Sequence, residues 1–207
     1  MEKEIGISNL YIKYMVCLRD RLIVKSELDK LGVNYRFSIH DAIEFSGDTT
    51  DEVYNRLKSN LLKHGLILLD RGDSILIDRI INTITDVIHN SKQLPRVKFE
   101  DILTDRSTLS DESLLKVFSD VKGMSVLQFI INQKIERMKD LLLYEEHSLS
   151  EIANILNYKN TDQMIAQFKK YTDLPPNYFK KLKNERKKII IGSSQKSNNG
   201  ESISLSQ

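Results

Sequence analysis

The most defined chemistry in this sequence is a set of polar side chains on one helical face. In "NTDQMIAQFKKY", residues 160–171, a helical reading turns Asp162, Gln163, Ala166, Gln167, Lys169 and Lys170 outward, and Met164, Ile165, Phe168 and Tyr171 inward. Amide and ammonium groups form hydrogen bonds and ion pairs rather than breaking covalent bonds. Their natural counterparts are base edges and phosphates. A solvated face on an ordinary core helix has the same composition, so this stretch alone leaves both readings open.

Other reactive residue types are sparse. The chain has one cysteine, Cys17, which excludes an internal disulfide and reads as a buried structural thiol. A metal site needs more thiolates or convergent imidazoles, and His40, His64, His89 and His147 show no ligand spacing. There is no nucleophile motif, phosphate-cradling glycine loop or paired carboxylate, so the expectation is a non-enzyme without a cofactor.

The elements around the polar face give it a context. Ser148 precedes "LSEIANIL" and Glu151 follows three residues later, a capping box that starts a helix. Leu149, Ile152, Ala153 and Leu156 form its buried stripe. The turn "NYKN" leads into the second helix, from about Thr161 to Tyr171. Two short helices, a tight turn and a polar outer face make a helix-turn-helix. A similar pair stands about fifty residues earlier: "FEDIL", the turn "TDRST", then "LSDESLLKVFSDVKGMSVLQFI". The two align with Phe118 at Phe168 and Phe129 at Phe179. One long helix, "SVLQFIINQKIERMKDLLLY", joins them. Duplicated pairs on a rigid connector suit major-groove segments roughly 34 Å apart.

The N-terminal part alternates strand and helix patterns in the order β-α-β-β-α-β, the split βαβ plan of a ferredoxin-like sandwich. "NLYIKYMV", "VNYRFSI", "AIEF" and "LILLD" read as strands, with a tight turn at His40-Asp41 and a helix cap at Thr49 or Thr50. The expected organisation is an α+β domain over 1–72, an amphipathic helix over 73–90 and an all-α double helix-turn-helix domain over 97–185. A disordered polar tail follows over 186–207. The stripe Ile77, Ile80, Ile81, Ile84, Val87 and Ile88 could dock on either domain or on a second copy. "SKQLPR" reads as a linker, with Pro95 marking the break.

Composition agrees with a protein of this kind. The chain has 207 residues, 40% hydrophobic and 29% charged, with a net charge of +2. That balance does not itself argue for nucleic acid. From Tyr144 to Lys188, however, nine positive residues face six negative ones, and "KKLKNERKK" extends the basic character. No apolar run approaches the length a bilayer needs, and "MEKEIGISNLY" lacks a signal-peptide core. The expected location is the cytoplasm, with no membrane association.

The segment "QKIERMKDLLLYEEHSLSEIANILNYKNTDQMIAQFKKYTDLPPNYFKKLK" resembles the DNA-binding domain of AraC-type transcriptional regulators, over about Val97 to Lys183. The resemblance implies a bacterial transcription factor with two helix-turn-helix units. The partners it implies are double-stranded DNA, RNA polymerase and a second copy of the chain, met through the N-terminal domain or helix 74–89. Carried over by position, the base-contacting residues are Thr161, Asp162, Gln163 and Ala166 in the second unit, with Leu115 and Lys116 in the first. By residue type, Gln163 suits adenine, Thr161 a thymine methyl or an acceptor, and Asp162 cytosine N4. Lys159, Lys169, Lys170, Lys180 and Lys181 are the expected phosphate contacts. The first unit opens with Asp111 and Glu112, which suit a helix dipole but not a polyanion. "YIKYMVCLRDRLIVKSELDKLG" resembles the first strand, loop and helix of heavy-metal-associated ferredoxin-like domains, with Asp20 where their second thiolate stands. Two rival readings follow: a protein-interaction module that keeps the fold without reading DNA, and a metal-responsive sensor using Cys17.

Overall fold

In the computed structural model, the described residues are 9–47, 50–92, 94 and 112–200. They form eight helices and five short strands. The described parts of Met1–Val87 and Val97–Ile130 make one compact unit, and those of Ile88–Arg96 and Ile131–Gln207 make another. These units differ from the expected domains over 1–72 and 97–185, because the helix Glu112–Lys122 packs against the strand Ile12–Lys13.

In the first unit, strands β1 (Asn9–Leu10) and β2 (Ile12–Lys13) are separated only by Tyr11. Helix α1 (Leu18–Leu31) follows and ends at Gly32, whose φ of 66° suits a residue without Cβ. Strands β3 (Tyr35–Phe37) and β4 (Ile43–Phe45) form a hairpin. At its turn Asp41 has a positive φ, and Ser38 Oγ accepts from the N–H groups of His40 and Ala42. Helix α2 (Asp51–Leu62) is capped by Thr50, while Thr49 lies outside the described residues. Strand β5 (Ile67–Leu68) leads to α3 (Arg71–Asn90).

β1 pairs antiparallel with β4, β4 with β3, and β2 with β5, giving a small N-terminal sheet in two parts. The single strand expected at "NLYIKYMV" is thus divided between two partners at Tyr11. Leu10, Ile12, Val24, Leu28, Ile43, Leu57, Leu61, Leu66 and Leu68 form the core against this sheet. The α3 stripe Ile77, Ile80, Ile81, Ile84 and Ile88 is buried within the chain. Its burial removes the apolar face on which the expected homodimer through helix 74–89 depended.

The remaining helices are α4 (Glu112–Lys122), α5 (Val126–Tyr144), α6 (Leu149–Ile155), α7 (Thr161–Thr172) and α8 (Pro176–Gly200). Pro95, the "FEDIL" helix, the "TDRST" turn and Asp111 lie outside the described residues. Helix α8 runs through most of the segment expected to be a disordered tail. Among the described residues no helix is long and apolar enough to cross a membrane.

Candidate nucleic-acid interface

Local capping fixes helices α6 and α7 in the second unit. Ser148 Oγ accepts from Glu151 N at 3.1 Å, and Ser148 N donates to Glu151 Oε2 at 2.7 Å. These bonds hold the Glu151 carboxyl below its ordinary range. The turn passes through Asn157 in the left-handed region, and Tyr158 N donates to Ala153 O. Asn160 Oδ1 then accepts from Gln163 N at 2.8 Å and starts α7. Met164 and Phe168 are buried, with Phe168 edge-on to Phe179 at 5.2 Å. Burying this stripe turns Asp162, Gln163, Ala166, Lys169 and Lys170 to solvent, while Thr161 is half-buried.

Two amides on α7 are oriented by the turn before it. Lys159 N donates to Gln163 Oε1 at 3.2 Å, and the Tyr158 hydroxyl donates to Gln167 Oε1. Burial raises the Tyr158 pKa, which keeps the hydroxyl protonated. Lys134 supports the same turn. Its Nζ donates to Leu156 O at 3.0 Å and lies 5.1 Å from the Tyr158 ring centroid. Burial lowers the Lys134 pKa. Nothing in its sequence neighbourhood, "INQKIERM", distinguishes Lys134 from a solvated helix lysine.

The basic end of the unit is arranged differently from the expected phosphate footprint. Lys180 donates to His147 O at 3.1 Å, and Lys183 donates to Glu145 O at 2.6 Å. Lys183 and Lys187 both pair with Glu146, at 2.8 and 2.9 Å. Arg186 donates to the Tyr144 hydroxyl, and Lys188 pairs with Glu185. Much of "KKLKNERKK" is therefore tied to 144–147 or to its own helix. The side chains of Lys159, Lys169, Lys170 and Lys181 make no hydrogen bond or ion pair among the described residues.

Helix α4 belongs to the first unit. Leu114, Phe118 and Val121 are buried, whereas Glu112, Leu115 and Lys116 face solvent. Its C-terminal end is held by the N-terminal segment. Tyr14 N donates to Asp120 O at 2.8 Å, and Lys122 Nζ donates to His40 O at 2.9 Å. Phe129 packs edge-on against Phe118 and the His40 ring. Gly123 ends the helix at φ 64°, and a Cβ there would lie 3.3 Å from Val16 Cγ1. Sequence reasoning missed this contact set, since no motif marks it.

The loop likened to a metal site has other partners. Cys17 is exposed rather than buried, because it precedes the first turn of α1. Asp20 Oδ2 accepts from Cys17 Sγ at 3.1 Å and from the N–H groups of Val16 and Cys17. These bonds lower the Asp20 pKa, the thiol contributing most. Among the described residues no group of three or more His, Cys, Asp or Glu side chains could hold a metal ion.

Residues 103–182 match the family described as a helix-turn-helix domain. Solved structures similar to the chain include the following. The C-terminal domain of AraT, a response regulator from Geobacillus stearothermophilus, is 20% identical, with 52% of this chain and 84% of that one covered and a TM-score of 0.45. The DNA-binding domain of AdpA, described as a global transcriptional factor in complex with a target DNA, is 17% identical over 53% and 94%, with a TM-score of 0.45. A transcriptional regulator from Chromobacterium violaceum, described by AraC-type DNA-binding domain-containing proteins, is 11% identical over 55% and 96%, with a TM-score of 0.46. No curated protein matches the chain.

Proposed function

We propose that this chain is a sequence-specific DNA-binding transcriptional regulator of the AraC type, without catalytic activity. The observation that carries this reading is the outward face of α7. It is a capped helix with its apolar side buried in a helix-turn-helix, and it turns Asp162, Gln163 and Ala166 to solvent beside the ammonium groups of Lys169 and Lys170. Thr161, Asp162, Gln163 and Ala166 are the proposed base-reading set. Lys159, Lys169, Lys170 and Lys181 are the proposed phosphate contacts, because their charges are not spent inside the fold. Lys180 is a weaker partner, since one of its three donors already serves His147 O. Leu115 and Lys116 face solvent on α4 and can touch DNA from the first unit.

The N-terminal segment is proposed to be ferredoxin-like. If β1 and β2 are taken as one strand interrupted at Tyr11, the neighbour order becomes β5, β2/β1, β4, β3, as the βαββαβ plan requires. Its role would be regulatory, exerted through the contacts that hold the end of α4.

Titration of the full-length protein against genomic duplex fragments over a salt series tests the proposal. Four unspent ammonium groups predict a slope of log K against log salt of about −3 to −4. Affinity should fall about a hundredfold between 50 and 200 mM salt. Absence of binding at low salt would overturn it. That outcome would favour the rival of a protein-interaction module, which the internal pairing of the basic run supports.

A further inference from the structure

Residue type alone matches glutamine with adenine, because a carboxamide can both accept from N6 and donate to N7. The turn before α7 changes this. A backbone N–H can only donate, so the Gln163 atom 3.2 Å from Lys159 N is the carbonyl oxygen. That contact fixes the amide orientation and engages its acceptor. One turn further along the helix, Gln167 Oε1 is engaged in the same way by the Tyr158 hydroxyl. No described residue accepts from either Nε2. Positions 163 and 167 lie on one face of the helix, and Lys170, at the next turn, has only donors. The hydrogen-bonding groups along this row that have no described partner are therefore donors, while each carbonyl oxygen is turned back toward the turn.

We infer that the α7 face reads guanine, with the Gln163 NH2 directed at the O6 and N7 acceptors of one base and the Gln167 NH2 extending the donor row. Guanine is the base that presents two acceptors side by side in the major groove; adenine presents an acceptor and a donor there. The inference rests on the DNA-binding reading above and specifies its ligand.

Selecting bound duplexes from a randomised pool with the full-length protein tests it. The wild type should enrich guanine at a position whose preference falls about five- to a hundredfold in Gln163→Ala. Gln163→Glu keeps the acceptor for Lys159 N–H and so preserves the helix start. Only the outward NH2 is replaced, by a carboxylate oxygen, and the selected base should change to cytosine, whose N4 is a donor. Tyr158→Phe releases the Gln167 amide and should relax preference at a neighbouring position while leaving the Gln163 position intact. Any base other than guanine at the Gln163-dependent position overturns the inference, as does an unchanged preference in both Gln163 variants. In those cases DNA binding itself still stands. Enrichment of no sequence at all overturns the DNA-binding reading together with this one.

Discussion

Glu146 lies between two ammonium groups, Lys183 at 2.8 Å and Lys187 at 2.9 Å. Their hydrogen bonds and charges pull its pKa from the ordinary 4.5 to about 2. A depressed folded-state pKa stabilises the fold above the unfolded value, and that stabilisation is lost as pH falls through the folded value. The stability difference between wild type and Glu146→Gln should be constant above about pH 5 and shrink between pH 4.5 and 2, as read by thermal unfolding across pH. A difference independent of pH would refute the pairing. At this scale the sequence was only partly legible. The excess of positive charge from 144 to 188 was countable, but its placement was not. Glu145 and Glu146 stand about forty residues from the lysines they meet, and a count of charges cannot say which are already neutralised. The outward set on α7 was legible, because helical period alone assigns those faces. The orientation of the Gln163 amide was not, since it depends on where the turn places one N–H.

Among the elements, starts and stops carry measurable weight. Ser148→Ala removes the acceptor for Glu151 N and leaves α6 with an unsatisfied first turn. It should cost about 1 kcal/mol in denaturant unfolding. Gly123→Ala combines two penalties: a left-handed backbone, about 1–2 kcal/mol, and a Cβ pressed against Val16. The double variant Val16→Ala/Gly123→Ala separates them, because it should recover the contact cost and leave the backbone cost. Equal stability of the single and double variants would exclude the contact as a contributor. Helices were the most readable elements, since caps and stripes are local signals. The division of the first strand at Tyr11 was not readable, as it is set by β4 and β5, which pair with its two halves. The segment expected to be a tail from residue 186 is helical as far as Gly200. Polar composition suggested disorder, while Lys180, Lys183, Arg186 and Lys187 fasten the first half of α8 to residues 144–147.

For the molecule as a whole, the boundary between compact units matters more than the motif boundary. The first helix-turn-helix was expected to fold with the second, over 97–185. In the structure Asp120 and Lys122 are bonded to Tyr14 and His40, the latter pair 82 residues apart. A fragment beginning at residue 97 lacks those partners and uncovers Phe129, which is 3% exposed in the full chain. Hydrogen exchange should be faster across 112–130 in that fragment than in the full-length protein, with 149–172 much less affected. Equal protection of 112–130 in both would show that the N-terminal contacts are dispensable. Pairings between residues about a hundred positions apart leave no periodicity behind, which is why the sequence did not reveal this boundary.

The Lys122 bond to His40 O also limits how this architecture can be recombined. A half-buried ammonium group needs an oxygen at that spot whatever domain supplies it. A chimera that swaps in a different N-terminal domain must therefore bring a carbonyl or carboxylate to Lys122 and an apolar lid to Phe129. Exchange of modules by cutting at the linker alone would leave both requirements unmet. Compatible donors could be screened by that geometric criterion before any are built.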